Sequence, residues 1–546
     1  MNNFRYVQNC LHLNFKQIDY SMYNFKNGFF FFILFVSQGV FSQVTLDDEA
    51  LKTWWQKDLE HDSIPGIGLQ RLYDEFLQNR EGEEVIVAVL DTKLDIDHED
   101  LKQNIWVNED EIAGNGIDDD HNGYIDDING WNFLGNANGD EVPYQSTEMV
   151  RIIKRYETKY ANVDINTISG EETYDYLSAK KELEKKQAAF LEDNHYLDSI
   201  STLYFDWKKQ VVKALKGKPY SKETLDSLAS VDKDFKDHTN WMKDMIDWGI
   251  EEEGFLQTYI DENNQYLNTH YSVAFDERKN VDIGNGNVKG NDMPFQHSTP
   301  VTGVIAASRD NGIGINGIVS KIKIMPVVMV SDGDEHDEDV AKAIRYATDN
   351  GAKIINMSWG KYYSTQPNLV KEAIAYAAKK DVFMVTASGN GAKNIDEEPN
   401  FPTDFYDQEE ASNNFIKVGG ISPSLDATFV ASFSNYGKSQ VDIMAPAVKI
   451  YTTDTENSYK TTRGTSYASP MVAGTAALLK SYFPYLTAAQ LKEIILSSGT
   501  KLDLMVKRPG NEEGDALVPF SSLSKTGSIL NVYAAFQKAM VIEKYR

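Results

Sequence analysis

The sequence predicts an α/β protein with a doubly wound, mostly parallel sheet that is flanked by helices and carries a large helical insertion. Nearly continuous runs of apolar, largely β-branched residues recur along the chain and are typical of strands buried on both faces. Helical patterns, such as residues 339–350 and 368–380, lie between the runs. This alternation implies right-handed crossovers and a working site at the C-terminal ends of the strands. The predicted strands are residues 85–90, 323–328, 353–357, 382–385 and 415–418.

The size and composition of the chain exclude several classes of protein. With 546 residues, of which 41% are hydrophobic and 25% charged, the chain can bury a large core and has a composition close to the globular average. Its net charge of -28 repels phosphate backbones, so no nucleic-acid partner is expected. Cys10 is the single cysteine, which excludes an intramolecular disulfide and argues against a cysteine zinc site or a catalytic thiol.

A short apolar run near the N-terminus predicts export. Residues 29–36 are apolar, follow Lys26 and lead through Val40 and Phe41 to Ser42. The run is much shorter than the about 20 residues of a membrane-spanning helix, and its flanks are typical of a secretory signal peptide. We therefore predict a signal peptide over residues 1–42 and a short N-terminal extension over residues 43–84. The protein is expected in the periplasm or outside the cell, without a stable membrane span after cleavage.

Residues 148–280 break the alternation and are predicted to be a helical insertion between two parts of the main domain, residues 85–147 and 281–546. Apolar residues recur in it every seven positions, and a turn is predicted near residues 217–219. The insertion is predicted to form a helical hairpin or a small bundle. We favour packing of its apolar residues onto the main domain over a dimerising coiled coil, and the oligomeric state stays open. The insertion is a lid, a recognition module or a surface excursion. The recurring residues are Tyr176, Leu183, Phe190, Leu197, Tyr204 and Val211.

Three residues far apart in the chain stand where chemistry is expected. Asp91 comes directly after the strand of residues 85–90, and His297 enters a helix of small residues. Ser466 follows Gly464 and Thr465 at the start of an apolar helix. A hydroxyl at a helix N-terminus lies where an oxyanion is favoured.

In this chain order, Asp91, His297 and Ser466 resemble the triad of the subtilisin-like serine proteases, the subtilases of peptidase family S8. The motif around Ser466 continues as Ala468-Ser469-Pro470 and is intact. Two further segments resemble the family: residues 356–360 are similar to its substrate-binding strand, and residues 387–390 to the segment that carries its oxyanion asparagine. The resemblance covers roughly residues 85–134 and 291–498.

The resemblance implies a secreted serine endopeptidase that cleaves proteins or peptides through an acyl-enzyme. Ser466 would be the nucleophile, His297 its general base, and Asp91 the group that orients His297. Asn390 and the N–H of Ser466 would bind the oxyanion. Small residues would leave the specificity pocket open to a bulky apolar side chain. The implied substrate-binding residues are Ser358, Trp359, Gly360, Ala387, Ser388 and Gly389.

The sequence also departs from the family pattern. Lys93 stands where the family has glycine, and Ser298-Thr299-Pro300 replaces Gly-Thr-His after the histidine. A cation at Lys93 that faced His297 would disfavour the imidazolium. Neither change removes a catalytic group, and a catalytically inactive, peptide-binding relative is the alternative interpretation.

Residues 115–129 resemble a calcium-binding loop. Aspartate and asparagine stand at its positions 1, 3 and 5, and Gly123 stands at the sharp turn, but position 12 is Asn129 instead of glutamate. We predict Ca²⁺ here as a structural ion outside the chemistry, with a solvated acidic turn as the alternative. The predicted metal ligands are Asp118, Asp120, Asn122, Asp126 and Asp127.

Overall fold

The computed structural model describes residues 46–546 except 164–166, 168–169, 232, 248–249, 251–253, 279–283, 291–295, 407 and 512–513. The predicted signal peptide lies outside the described residues. The chain divides into two compact units. One contains Ile153–Phe275, and the other contains the described residues up to Ile152 together with Asp276–Arg546. No helix in the described ranges is both long and apolar enough to cross a membrane.

A nine-stranded sheet forms the centre of the larger unit and confirms the predicted α/β fold. The strand order is β12-β15-β9-β8-β5-β4-β1-β3-β2, and every neighbouring pair is parallel except β12 and β15. The strands are β1 (Val85–Asp91), β2 (Trp131–Asn132), β3 (Ile322–Val328), β4 (Ile354–Met357), β5 (Phe383–Ala387), β8 (Phe415–Ile421), β9 (Ile443–Pro446), β12 (Thr500–Lys501) and β15 (Ser528–Ile529).

Three antiparallel pairs lie outside this sheet. They are β6 (Phe405–Tyr406) with β7 (Glu409–Glu410), β10 (Ile450–Asp454) with β11 (Ser458–Thr462), and β13 (Met505–Val506) with β14 (Val518–Pro519). The α-helices in the described part of the chain are α1 (Asp48–Thr53), α2 (Leu59–Asp62), α3 (Leu69–Leu72), α4 (Glu148–Tyr160), α5 (Glu171–Leu215), α6 (Lys222–Val231), α7 (Lys233–Asp247), α8 (Phe255–Asn268), α9 (Ser298–Ala306), α10 (Asp337–Asp349), α11 (Pro367–Lys379), α12 (Thr465–Tyr482), α13 (Ala488–Ser498) and α14 (Val532–Lys544).

Side chains of the central strand β1 alternate between two hydrophobic cores. Val87 and Val89 lie in the core that α9 and α12 cover, whereas Ala88 and Leu90 lie in the core that α10 and α11 cover. Because successive residues of a strand face opposite sides of the sheet, a strand covered on both faces must be apolar throughout. This requirement explains the continuous apolar run that the sequence shows at this point.

The residues that precede β1 also belong to the main core. Trp54 and Trp55 are fully buried in the cluster that contains the α9 and α12 side chains. Trp54 Nε1 donates a hydrogen bond of 3.0 Å to the carbonyl oxygen of Lys449. This short helical segment is therefore packed into the larger unit and contributes to its stability.

The unit formed by Ile153–Phe275 has a core of its own. Leu197, Tyr204 and Val211 of α5 pack with residues of α6, α7 and α8, among them Met242. The chain turns between α5 and α6, where the sequence predicted a turn, and Gly217 there has a positive φ of 88°. At these three positions the seven-residue spacing thus serves packing among the unit's own helices.

Candidate active site

Three elements of the larger unit carry the predicted catalytic side chains. Asp91 is the last residue of β1, His297 directly precedes α9, and Ser466 is the second residue of α12. Helices α9 and α12 pack against each other and against β1. The fold therefore brings together, at the C-terminal end of a central parallel strand, residues that are hundreds of positions apart in the sequence.

Asp91 and His297 are joined by a direct hydrogen bond. His297 Nδ1 lies 2.9 Å from Asp91 Oδ1 and 3.0 Å from Oδ2, so Nδ1 must carry the proton and Nε2 is left as the acceptor. Thr92 holds both residues in place. Its N–H donates to Asp91 Oδ1 (2.7 Å), and its Oγ1 accepts from the N–H groups of His297 (3.1 Å) and Ser298 (3.0 Å). Thr92 is not among the predicted site residues, since only the tertiary contacts reveal that it binds both Asp91 and His297.

Ser466 lies at the N-terminus of α12, next to the histidine. The ring of the following residue, Tyr467, is 6.2 Å from the His297 ring, centroid to centroid. Ser358 Oγ donates to the Ser466 carbonyl oxygen at 2.9 Å and lies 2.8 Å from Ser469 Oγ. These contacts fix the first turn of α12 against the segment that follows β4.

Two hydrogen-bond donors lie near Gly464. Gly464 has a φ of 146°, and a Cβ atom placed on it would lie 3.7 Å from Asn390 Nδ2 and 3.8 Å from the backbone nitrogen of Ser466. Asn390 Oδ1 accepts from the N–H and Oγ1 of Thr465, both at 2.9 Å, which leaves its Nδ2 as the available donor. The two donors predicted to bind an oxyanion therefore both lie near Gly464.

The predicted substrate-binding segments follow two adjacent parallel strands. Ser358, Trp359 and Gly360 come after β4, while Ser388 and Gly389 come after Ala387 at the end of β5. Trp359 Nε1 donates to the carbonyl oxygen of Leu90 at 2.8 Å, and Gly389 N–H donates to Thr465 Oγ1 at 3.2 Å. Both segments thus border the region around Ser466.

Lys93 does not act as a free cation beside the histidine. Its side chain is buried, and Lys93 Nζ donates to Glu141 Oε1 at 2.7 Å in an ion pair. The other departure from the family pattern is also accommodated, because Thr299 Oγ1 accepts from the N–H of Asp95 at 3.1 Å. Lys93 of the loop after β1 is therefore paired, and Thr299 of α9 binds the same loop.

Three carboxylates form a cluster that could hold a metal ion. Oxygen atoms of Glu111, Asp120 and Asp127 all lie within 4.8 Å of one another. Burial raises the pKa of Asp127, and the charge of Asp120 adds to that shift. The sequence pointed to Asp120 and Asp127, but it missed Glu111 because this residue precedes the recognisable loop.

The other predicted ligands make hydrogen bonds within the loop. Asp118 Oδ1 accepts from the N–H of Asn122 at 3.0 Å, and Asp126 Oδ1 accepts from the N–H of Gly114 at 2.8 Å. Asn122 Nδ2 donates to Asp120 Oδ2 at 3.0 Å, so this amide turns its nitrogen toward the carboxylates. Ligation by Asp118, Asn122 and Asp126 stays a prediction.

A buried ion network is centred on Lys361, the residue that follows Gly360 at the end of the segment after β4. Lys361 Nζ is 3.0 Å from Glu148 Oε1 and 2.8 Å from Asp337 Oδ1. Burial by itself would lower the pKa of Lys361, but the charges of Glu148 and Asp337 outweigh it and raise this pKa. Burial would likewise raise the pKa of Glu148, but the charges of Lys361 and Arg151 hold it below its ordinary value. The sequence alone gave no sign of this network.

Lys361→Met is expected to destabilise the protein by about 3–5 kcal/mol, because it removes the buried cation that pairs with Asp337 and one of the two cations that pair with Glu148. The measurement is the free energy of unfolding from urea titration. The ordinary pKa of glutamate is 4.5 and that of lysine is 10.5. Because the pKa of Glu148 is depressed, its charge contributes fully to the free energy of unfolding above pH 4.5. Because the pKa of Lys361 is raised, its charge contributes fully below pH 10.5. We expect the difference in free energy of unfolding between Lys361→Met and wild type to be largest between pH 4.5 and pH 10.5.

The matched control is Lys342→Met, which removes the exposed pair of Lys342 with Glu338 in α10. An exposed pair one helical turn apart contributes about 0.3–0.5 kcal/mol. Equal destabilisation by the two substitutions would show that the buried network contributes no more than a surface pair.

Comparison with known proteins agrees with this architecture. The family model described as the subtilase family matches residues 82–514. Subtilisin DY from Bacillus licheniformis is 33% identical over 208 residues, which is 38% of this chain and 71% of that protein. A thermophilic serine proteinase from Bacillus sp. (strain AK1) is 39% identical over 186 residues, 34% of this chain and 42% of that protein.

A solved structure titled as proteases from Pseudoalteromonas arctica PAMC 21717 is similar at 17% identity. The alignment covers 90% of this chain and 98% of the other chain, with a TM-score of 0.47. The family match extends over most of the chain and includes the elements that carry Asp91, His297 and Ser466. The chain therefore belongs to the subtilase family and is a serine-type endopeptidase.

Proposed function

We propose that the protein is an exported endopeptidase that hydrolyses peptide bonds through an acyl-enzyme formed on Ser466. The observation that carries the proposal is the hydrogen bond of 2.9 Å between His297 Nδ1 and Asp91 Oδ1 next to the first turn of α12. A histidine whose Nδ1 is engaged in this way keeps Nε2 available to take a proton. The substrates are proteins or peptides.

The chemistry follows from what each group can donate or accept. Ser466 Oγ attacks the carbonyl carbon of the peptide while its proton passes to His297 Nε2, and the negative charge of Asp91 stabilises the imidazolium. His297 then gives this proton to the leaving amine as the C–N bond breaks, and an ester on Ser466 remains. Water, deprotonated by His297, attacks the ester and releases the acid and the free hydroxyl.

The tetrahedral intermediate places a negative charge on the former carbonyl oxygen. Asn390 Nδ2 and the N–H of Ser466 both lie near Gly464, which supports their role as the donors to this oxyanion. The position of Ser466 at the N-terminus of the long helix α12 favours the same charge. Removal of one such donor typically costs a factor of about 10²–10³ in kcat.

For the domain organisation we propose the division that the sequence predicts. Residues 1–42 act as a signal peptide, residues 43–84 are an N-terminal extension, and the helical insertion of residues 148–280 separates the two parts of the peptidase domain. The compactness of Ile153–Phe275 as a separate unit supports the insertion. The apolar run at residues 29–36 supports export to the periplasm or beyond the cell.

The acidic cluster is proposed as a structural Ca²⁺ site. Carboxylate oxygens are the ligands that Ca²⁺ prefers, and a cation would offset the cost of gathering Glu111, Asp120 and Asp127. Calcium at about 100 times its Kd is expected to stabilise the fold by about 2.7 kcal/mol. We expect a chelator to lower the Tm of the wild type.

The variant Glu111→Gln should lose most of this calcium effect on the Tm. The matched control is Glu109→Gln, because Glu109 is exposed and lies two positions away. A Tm that responds to calcium equally in both variants would contradict the site.

A fluorophosphonate probe tests the activity without knowledge of the natural substrate. Attack by Ser466 Oγ forms the P–O bond and expels fluoride, and peptide mass spectrometry locates the adduct. We expect labelling of Ser466 in folded protein, in calcium and in chelator, and none after heat denaturation. Folded, calcium-loaded protein that does not label would support the inactive, peptide-binding alternative.

A further inference from the structure

One carboxylate at the start of the helical insertion binds the loop that follows β4. Glu148 is the first residue of α4, and its side chain is fully buried. Its Oε1 accepts hydrogen bonds from Lys361 Nζ (3.0 Å), from the N–H of Thr365 (3.0 Å) and from Thr365 Oγ1 (3.2 Å). Three donors of the stretch directly after Gly360 therefore converge on one oxygen atom of the insertion.

The residues of the proposed substrate-binding segment 358–360 differ in how they are held. Ser358 and Trp359 are anchored by their own side chains, which donate to main-chain carbonyl oxygens at 2.9 Å and 2.8 Å. Gly360 has no side chain, so its main chain is free to turn unless its neighbours hold it. The position of Gly360 therefore depends on Lys361, the residue that follows it.

Lys361 is fixed at its main chain and at its side chain. Its N–H donates to the Phe401 carbonyl oxygen at 3.0 Å, and the N–H of Phe401 donates to the Lys361 carbonyl oxygen at 2.8 Å. Its Nζ lies 3.0 Å from Glu148 Oε1 and 2.8 Å from Asp337 Oδ1. Because this ammonium group is buried, water cannot replace a lost carboxylate. Loss of Glu148 would therefore draw the side chain toward Asp337 and shift the peptide unit that joins Lys361 to Gly360.

Glu148 is itself held by both ends of the insertion, which belong to the larger unit. Arg151 Nε binds Glu148 Oε2, and Arg151 Nη2 donates to the carbonyl oxygen of Asp334 at 3.0 Å. Glu277, close to the other end of the insertion, lies 3.7 Å from Arg151 Nη1 and accepts from Ser146 Oγ at 2.7 Å. The two connections of the insertion are thus joined to each other beside Glu148.

We propose that Glu148 is a positioning residue for substrate binding, which acts through Lys361 to hold the main chain of Gly360 where it can bind an extended peptide. The first residue of the insertion then forms part of the support of the substrate site. A strand binds an extended peptide through main-chain hydrogen bonds, which give affinity with any side chains. The inference rests on the proposed function, because it takes residues 358–360 as the segment that binds the substrate main chain.

Glu148→Gln tests the inference, since it removes the charge at nearly constant shape. The substrate is the quenched fluorescent peptide that wild type cleaves best in a mixed-sequence set. We expect KM to rise about tenfold with kcat little changed, because main-chain hydrogen bonds to the peptide are made equally in the ground state and the transition state.

The fluorophosphonate probe supplies the readout that separates positioning from a general structural role. The probe has no peptide main chain, so its reaction requires the nucleophile and its base but not the substrate-binding segment. The second-order rate constant for labelling of Ser466 should therefore be the same in Glu148→Gln and in wild type. A merely structural role would lower labelling and peptide cleavage together.

Two further variants show whether Glu148 acts through the loop after Gly360. Thr365→Val removes one of the three hydrogen bonds and should raise KM by a smaller factor in the same direction. Lys361→Met should raise KM as Glu148→Gln does, and the double variant should raise it no further, because the two groups form one contact.

The matched control is Glu410→Gln, which removes a carboxylate that pairs with Lys492 of α13 at 2.7 Å. This substitution also breaks a partly buried ion pair, but it leaves the loop after Gly360 intact. We expect its KM to equal that of wild type. A rise in KM as large as that of Glu148→Gln would show that loss of any such ion pair weakens substrate binding, and would overturn the inference.

The outcomes distinguish failure of this inference from failure of the proposed function. If wild type does not label, the proposed function fails and the inference fails with it. If wild type labels, the inference alone is overturned by an unchanged KM in Glu148→Gln, by equal losses of labelling and cleavage in that variant, or by a wild type that cleaves no peptide. If Glu148→Gln does not fold, Thr365→Val decides, and an unchanged KM in that variant overturns the inference.

Discussion

Replacing Ser466 with alanine is expected to lower kcat by about 10⁶-fold, the order of the loss that removal of the nucleophile causes in subtilisin. Without the hydroxyl no acyl-enzyme forms, and only water held near the oxyanion donors can attack. The measurement is the single-turnover cleavage of a protein or peptide substrate together with fluorophosphonate labelling.

The fold should survive this substitution, because the Ser466 atom that Ser358 contacts is the main-chain carbonyl oxygen. An unchanged Tm provides that check. Ser497→Ala, an exposed serine of α13, is the matched control and should keep full activity. A Ser466→Ala protein that retains more than about 1% of wild-type kcat would place the nucleophile elsewhere.

Asp91→Asn is expected to lower kcat by about 10⁴-fold, the order found when the triad aspartate is changed in other serine proteases. Both carboxylate oxygens of Asp91 lie within 3.0 Å of His297 Nδ1. An amide removes the negative charge that stabilises the imidazolium, and its NH₂ group can hold the histidine in the wrong tautomer. The effect should fall on kcat, because Asp91 contacts His297 and not the substrate.

The control for this change is Asp97→Asn, which removes an exposed carboxylate of the same loop that pairs with Lys289 at the surface. Surface pairs contribute little, so we expect activity within about twofold of wild type. Comparable losses in both variants would indicate that the loop tolerates no substitution and that Asp91 has no special role.

Much of the main fold was predictable because its signals are local. The apolar run of residues 85–90 reports burial on both faces of the sheet, and β1 has this property. The motif around Ser466 is likewise a short stretch that recurs with little change in the family. The sequence predicted a helical hairpin or small bundle in the insertion but not which residues α5 packs against, since seven-residue spacing indicates that a helix is packed but not against what.

The site was predictable only in part. The identity of Asp91, His297 and Ser466 follows from motif and chain order, but Thr92, which binds both Asp91 and His297, emerges only from the contacts. That Glu111 belongs to the cluster with Asp120 and Asp127 likewise emerges only from the distances between their oxygen atoms. A motif identifies residues that are close in sequence, whereas a carboxylate supplied from elsewhere leaves no local pattern.

The sequence by itself determined the fold class, the family and the three residues proposed for catalysis, because buried strands and a short motif are encoded in consecutive residues. Only the tertiary structure decided which charges meet in the interior. Lys361 is paired with Glu148 and Asp337, and the buried Lys417 Nζ donates to Asn400 Oδ1 at 3.1 Å. Such contacts depend on burial and on distances of about 3 Å between residues that the chain brings together only when it folds.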